Sequence, residues 1–401
     1  MIEADVSPHP TAGEPTAPAA APAPTGGERT RGLVQLLGPD GVRREHPDYR
    51  LDLDNAELLE LYRRLVLLRR FDAEAEALQR QGELGLWAGC RGQEAAQVGA
   101  GYALHEPDHV FPGYRDHGLA FARGVDPLHV LSIFRGVDHG GWDPREHHVH
   151  PYTLVIAAQM LPAVGYAMGL QRDGAVGTGD PARDAAVVAC FGDGATAQGE
   201  ASEALTFASV YHAPVVFFCQ NNQWAISEPV ERQSTVALHR RADGFGMPGV
   251  LVDGNDVLAV LAVVRSALER ARRGEGPTFV EAYTFRMGAH TTSDDPTRYR
   301  NAAEVEEWRA KDPLDRVETY LRAEGILDEA FESALATESD ELAERVRAGV
   351  RALVDPHPAA MFDHAYAEPH AQVQAERDEF LAAWARHDDE LAAGGQNEGG
   401  R

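Results

Sequence analysis

Residues 185–222 constrain the fold of this chain more than any other stretch. Residues 185–191 (AAVVACF) are an unbroken apolar run of strand length, and residues 214–220 (PVVFFCQ) are a second. Residues 198–212 between them read as a helix. A strand, a crossover helix and a strand make parallel neighbours in one sheet. Gly192-Asp193-Gly194 leaves the first strand and Asn221-Asn222 leaves the second, with 26 residues between Gly194 and Asn221. Asp193 and Asn222 therefore leave adjacent strands at the same carboxyl edge, where open α/β sheets bind ligands. A carboxylate and a carboxamide oxygen converging there suit a hard cation such as magnesium, which takes oxygen ligands and commonly bridges to phosphate.

Two plainer readings compete. Gly192-x-Gly194 can open a dinucleotide fingerprint, but the next glycine is Gly199, too late for G-x-G-x-x-G. Glycine, aspartate and asparagine are also ordinary turn residues, so each motif alone reads as a tight turn. Their joint spacing around one crossover helix favours a shared site.

Composition removes whole classes of function. The chain has 401 residues, with 37 basic and 63 acidic side chains and a formal charge of −26. Nucleic-acid binding rests on basic surface, so that partner is not expected. Lys311 is the only lysine, which excludes a Walker phosphate loop. Cys90, Cys190 and Cys219 are too few and too scattered for a disulfide framework or a zinc ribbon. The chain does not start as a secretory signal does. No apolar run approaches the roughly 20 residues that span a bilayer. The cytoplasm is the expected location.

Residues 1–28 are rich in Pro, Ala, Gly and Thr and read as a disordered tail. Residues 54–81 read as a helix with Leu58, Leu61, Leu65 and Leu68 along one side. A Gly- and His-rich stretch follows over 82–151. Residues 156–170 read as a small-residue helix, 172–184 as a polar loop, 249–253 as a strand, 256–273 as a helix and 278–283 as a strand. Beyond residue 302 the pattern is helical and charged to about 391, and 394–401 read as a frayed end. The expected fold is α/β, a parallel sheet with helices on both faces and helical extensions at each end. The core is expected over 151–310, a helical region with loops over 29–150, and a C-terminal helical region over 311–393.

Gly192-Asp193-Gly194 followed at this distance by Asn221-Asn222 resembles the thiamin diphosphate signature. The resemblance implies a thiamin diphosphate-binding fold. Asp193, the Asn222 side chain and the Trp224 main-chain carbonyl would hold magnesium. Gly192, Gly194 and Ala195 would let backbone N–H groups approach the diphosphate at a helix start. Residues 113–118 (GYRDHG) resemble a segment of the two-subunit 2-oxo acid dehydrogenases, whose Tyr-Arg pair reaches the diphosphate. Tyr114 and Arg115 take that place, and a planar guanidinium can grip phosphate bidentately.

Residues 286–300 (RMGAHTTSDDPTRYR) resemble the active-site loop of the alpha subunit in the same family. The resemblance places His290 beside the cofactor, as a catalytic and cofactor-binding donor. In animal relatives a serine next to this histidine is a kinase target. Thr291 stands there, so phosphoregulation is not expected. Residues 156–162 (IAAQMLP) are similar to the segment touching the aminopyrimidine ring, with Ile156 at the contact. Residues 81–87 (QGELGLW) are similar to the edge of the substrate pocket, and Leu86 and Trp87 would be its apolar wall. Gln220 is a departure, because some relatives carry an arginine there. His147, His148 and His150 invite a zinc reading, which a loop alone rarely satisfies.

The resemblance covers roughly residues 33–390. It implies the alpha subunit of the decarboxylating component of a 2-oxo acid dehydrogenase complex. Such an enzyme decarboxylates a 2-oxo acid on thiamin diphosphate and Mg2+ and passes the acyl group to a lipoyl-bearing acyltransferase. The activating glutamate would come from a beta subunit, in an α2β2 heterotetramer. Branched-chain 2-oxo acids are the expected substrates, with pyruvate the alternative. A non-catalytic scaffold and another thiamin enzyme of the transketolase type are the readings from other classes.

Overall fold

The computed structural model describes residues 29–395, with side chains through 386. The tail expected over 1–28 and residues 396–401 lie outside the described residues. Helix α1 (Asn55–Arg80) opens on a reciprocal cap: Asp54 accepts from Glu57 N, and Glu57 accepts from Asp54 N, both at 2.9 Å. Its leucines at 58, 61, 65 and 68 are buried, with Phe71, Ala75 and Leu78 continuing the stripe.

The Gly- and His-rich stretch is more ordered than its sequence suggests. It holds α2 (Glu94–Tyr102), strand β1 (His109–Phe111), α3 (His117–Ala122), α4 (Pro127–Arg135) and the single turn α5 (Pro144–His147). Helix α2 is buried from Glu94 to Gly101, so it carries no amphipathic period to read. A Cβ on Gly99 would stand 2.9 Å from Val257 O and from Val260, so only glycine allows this approach.

Next come α6 (Met160–Arg172), β2 (Val187–Gly192), α7 (Gly199–Val210) and β3 (Val215–Asn221). Helix α6 begins later than expected, because Ala157 sits at φ 70° and the chain turns before it. Strands β4 (Trp224–Ala225) and β5 (Glu228–Pro229) form a hairpin that runs into the short helix α8 (Val230–Gln233). Then follow β6 (Gly249–Asp253), α9 (Val257–Arg272) and β7 (Thr278–Tyr283).

The five-stranded sheet has the order β1-β2-β3-β7-β6, and every pair is parallel. It starts at residue 109, ahead of the core boundary expected at 151. Alternate side chains feed two cores, as a period of two requires. Val188, Cys190, Val216, Phe218 and Val280 pack toward α1, α2 and α9. Val187, Ala189, Phe191, Val215, Phe217 and Phe279 pack toward α6 and α7.

The C-terminal region comprises α10 (Ala302–Arg309), α11 (Pro313–Ala323), α12 (Glu329–Ala352) and α13 (Ala371–Gly395). The helical pattern breaks over 353–370, where Pro356, Pro358 and Pro369 remove backbone donors. No helix among the described residues is long and apolar enough to cross a membrane.

Candidate active site

Each chemistry-bearing segment leaves a carboxyl end of the sheet. Gly113 to Asp116 follow β1, Asp193 follows β2, Asn222 follows β3, and Arg286 and His290 follow β7. They surround a cleft of about 370 Å3. Its lining includes Tyr114, Arg115, Ile156, Gly192, Asp193, Gly194, Ala195, Asn222, Trp224, His290 and Leu86. A larger groove of about 580 Å3 lies between α1 and α12. Its arginines are paired along the rim, Arg63 with Glu338, Arg64 with Glu60 and Arg345 with Asp126, and it brings no chemistry together.

Trp87 is not part of the wall. It is 1% exposed and stacks on His117 at 4.4 Å, with its Nε1 donating to Asp72 at 2.9 Å. Its backbone still matters, because Thr292 N donates to Trp87 O at 3.0 Å and Met287 N donates to Arg91 O at 3.1 Å. These bonds lay the Leu86 segment alongside the His290 loop. Phe134, which the sequence did not single out, lines the cleft beside Leu86 and packs edge-on against the Trp87 ring at 4.9 Å.

Asp193 is 1% exposed, and burial pushes its carboxyl up to about 6. Its side-chain donor is Gln233 Nε2, at 2.8 Å from Oδ2. A buried carboxylate is costly unless it is paired or coordinates a metal. Asn222 Nδ2 donates to Gln93 Oε1 at 3.1 Å, which turns its Oδ1 toward the hairpin, where Trp224 N donates to it at 3.2 Å. The Trp224 carbonyl accepts from Arg286 Nη1 at 3.0 Å and keeps a second lone pair. Among the described residues no cluster of three or more His, Cys, Asp or Glu is placed to hold a metal ion. One carboxylate, one carboxamide and one main-chain oxygen are the donor types that a hard divalent cation takes, so the residues present fit such an ion.

The histidine cluster is packing. His148 stacks on His109 at 4.4 Å, and His150 stacks on Phe111 at 3.6 Å. The Nδ1 atoms of His147 and His148 lie within hydrogen-bond reach of the carbonyls of Arg123 and Glu106.

Arg115 is buried over the loop, with Nη1 donating to Gly89 O and Nη2 donating to His290 O at 2.7 Å. Its fork is closed on two carbonyls, which differs from the open bidentate grip expected for phosphate. Gln220 is linked to the Arg115 main chain through Gln97, whose Nε2 donates to Arg115 O at 2.8 Å. Gln220 Nε2 donates to the Asp116 carboxylate, and its Oε1 accepts from Gln97 Nε2 at 3.1 Å.

Arg286, 1% exposed, is another residue whose role the sequence did not disclose. Besides Trp224 O it donates to Ile226 O at 2.7 Å and to the Tyr299 hydroxyl at 3.0 Å. Tyr299 in turn donates to Asp294, which accepts from His290 N at 2.8 Å. His290 Nδ1 lies 3.3 Å from both Arg115 Nη2 and Arg286 Nη1. Guanidinium groups only donate, so Nδ1 accepts and the ring proton resides on Nε2. Burial, then the two arginines, lower the imidazole to about 3. His290 is a neutral donor at physiological pH.

The dehydrogenase E1 component family matches residues 62–356, more than half of the chain. The chain belongs to the dehydrogenase E1 component family. The alpha subunit of 3-methyl-2-oxobutanoate dehydrogenase from Mycobacterium tuberculosis is 44% identical over 356 residues, covering 88% of this chain and 95% of the relative. The pyruvate dehydrogenase E1 alpha subunit of Staphylococcus epidermidis is 38% identical over 324 residues, covering 80% and 83%. That of Staphylococcus aureus is 37% identical over the same length. Within the family this chain is an alpha subunit of a 2-oxo acid dehydrogenase. An alpha subunit implies a beta partner and a 2-oxo acid substrate.

Proposed function

We propose that this E1 alpha subunit binds thiamin diphosphate and Mg2+ in the cleft and, with a beta subunit in an α2β2 assembly, decarboxylates a branched-chain 2-oxo acid. The observation that supports the reading is that Asp193, Asn222 and Trp224 all line the same cleft. Asp193, Asn222 Oδ1 and Trp224 O would hold the ion. Gly192, Gly194 and Ala195 keep the backbone open to the diphosphate. A Cβ on Gly194 would meet the Ala225 side chain at 2.8 Å. The bound cofactor supplies an electron sink for the bond that loses carbon dioxide.

The protein's own residues orient and exclude. Tyr114 stands edge-on to His290, with ring centres 6.1 Å apart. His290 offers its Nε2 proton to charge that develops in the cleft. Arg115, now bound to the carbonyls of Gly89 and His290, would supply a cation to the diphosphate. Leu86, Ile156 and Phe134 form apolar wall around the reacting group. The acyl product passes to a lipoyl-bearing acyltransferase.

The substrate preference draws on the Mycobacterium tuberculosis relative. Pyruvate is the second reading, favoured by the Staphylococcus relatives. The test is turnover of 3-methyl-2-oxobutanoate against pyruvate by the chain assembled with its beta subunit and supplied with Mg2+ and thiamin diphosphate. Each methylene is worth only about 1–3 kcal/mol in an apolar pocket, so some pyruvate activity is compatible with the proposal. Faster turnover of pyruvate would reverse the substrate assignment. Full decarboxylation by the isolated chain would contradict the shared site.

A further inference from the structure

Gln233 ends the short helix α8, and no sequence motif marks it. Its Nε2 donates to Asp193 Oδ2 at 2.8 Å and to the main-chain oxygen of Glu228 at 3.1 Å. An ionised carboxylate and a carbonyl can only accept, so the nitrogen, not the oxygen, faces Asp193. Gln233 Oε1 is buried with no protein partner, 3.7 Å from the point a Cβ on Gly194 would occupy. It leaves an unclaimed acceptor beside the start of the diphosphate loop.

The Glu228 contact matters as much as the Asp193 contact. Glu228 belongs to β5, which pairs with β4, where Trp224 lies opposite Pro229. One carboxamide therefore joins the carboxylate arriving from β2 to the hairpin that carries the third oxygen donor. One anchor follows β2 of the main sheet and the other lies in the separate β4–β5 hairpin, and Gln233 bridges them.

We propose that Gln233 is a positioning residue for the divalent cation, holding Asp193 Oδ2 so that Oδ1 is presented to the ion. This rests on the reading of the cleft as a Mg2+ and thiamin diphosphate site, and it adds the residue that fixes the carboxylate's rotation. Hydrogen-bond partners of metal ligands orient them, and losing one typically costs 10–100-fold in metal affinity.

The test uses Gln233→Leu and Gln233→Met in the chain assembled with its beta subunit. Mg2+ is titrated by calorimetry at fixed thiamin diphosphate, beside steady-state kinetics and thermal unfolding of the cofactor-free assembly. The expected result is about a 10–100-fold rise in the Mg2+ dissociation constant, with kcat at saturating Mg2+ and the unfolding midpoint unchanged. Unaltered Mg2+ affinity in both variants overturns the inference. So does a loss of kcat that saturating Mg2+ leaves in place, or failure of both variants to assemble, which would make Gln233 a structural residue. If the unaltered assembly takes up no Mg2+ with thiamin diphosphate, the reading of the cleft fails, and the inference falls with it.

Discussion

Arg286 Nη1 stands 3.3 Å from His290 Nδ1, and the same guanidinium donates to the Trp224 carbonyl at 3.0 Å. One buried cation thus links the histidine loop to the hairpin that carries one of the proposed metal donors. It sets the ring's tautomer and, with Arg115 and burial, keeps the ring neutral. The consequence is that the pH dependence usual for an active-site histidine is absent. As pH falls from 8 to 5, His290 stays uncharged, because its value lies near 3. The acid limb of kcat/KM is expected to show no inflection from this ring near its ordinary value of about 6.5. Arg286→Met removes one of the flanking cations, so the ring's pKa rises, while burial and Arg115 still hold it below its ordinary value. Imidazole 15N NMR of the assembled protein, beside the pH–rate profile, checks both statements.

Asp193→Asn keeps the shape of the side chain and an oxygen for Gln233 to hold, but it removes the only carboxylate of the proposed ion site. The expected outcome is loss of Mg2+-dependent cofactor binding by more than about 100-fold, since even outer partners of metal ligands are worth 10–100-fold. The fold is expected to persist. Calorimetry with thiamin diphosphate and circular dichroism of the cofactor-free chain test the two halves separately.

His117 gives a stability prediction away from the ion site. It is fully buried, its two ring nitrogens lie 2.9 Å from Tyr152 Oη and Ala88 O, and burial lowers it to about 3. The folded chain therefore prefers the neutral ring. That contribution is present above the unfolded value near 6.5 and is lost as pH falls toward 3. Between these limits only the unfolded chain binds the proton, so stability falls by about 1.4 kcal/mol per pH unit for this one group. Denaturant unfolding of His117→Gln from pH 6 to pH 4 should show a shallower slope by about that amount. An unchanged slope would contradict the assignment.

The pair Arg272–Asp108 ties the end of α9 to the entrance of β1. Asp108 is 0% exposed and also accepts from Ala186 N at 2.9 Å and His105 N at 2.7 Å. Arg272→Met leaves that carboxylate buried without its cation. The expected cost is roughly 3–5 kcal/mol of unfolding free energy, measured by denaturant titration. Adding Asp108→Asn should recover part of it, because the buried charge is then gone while the backbone donors keep an acceptor.

Leu86 and Phe134 set the apolar end of the cleft. Phe134→Ala removes a ring held by Trp87 and His117 and opens space beside Leu86. The expected outcome is a shift in relative kcat/KM toward longer 2-oxo acids, by roughly 1–3 kcal/mol per methylene accommodated. Competition assays among 2-oxo acids of increasing length measure it.

The strands of the sheet's centre could be read from the sequence alone. Residues 185–191 and 214–220 are apolar throughout because both faces of a parallel sheet are covered, and that pattern needs no tertiary knowledge. The same logic fixed the edge to which Asp193 and Asn222 belong, since a strand can carry its next residue only to its own carboxyl end. Strand β1 escaped notice because three residues are too few for a pattern. Helix α2 escaped because a helix buried on every side has no polar face.

What tertiary structure alone decided is which side chains meet. Arg286 was visible as one arginine in a loop, and Gln233 as one glutamine among many polar residues. Neither residue type announces a partner from sequence. Each acquires its role when segments 40 residues or more apart in the chain, Gln233 with Asp193 and Arg286 with Trp224, are folded against one sheet edge. Local sequence encodes periodicity and backbone preference. The direction of a single hydrogen bond is set by everything packed around it, as the burial of Trp87, expected on the cleft wall, also shows.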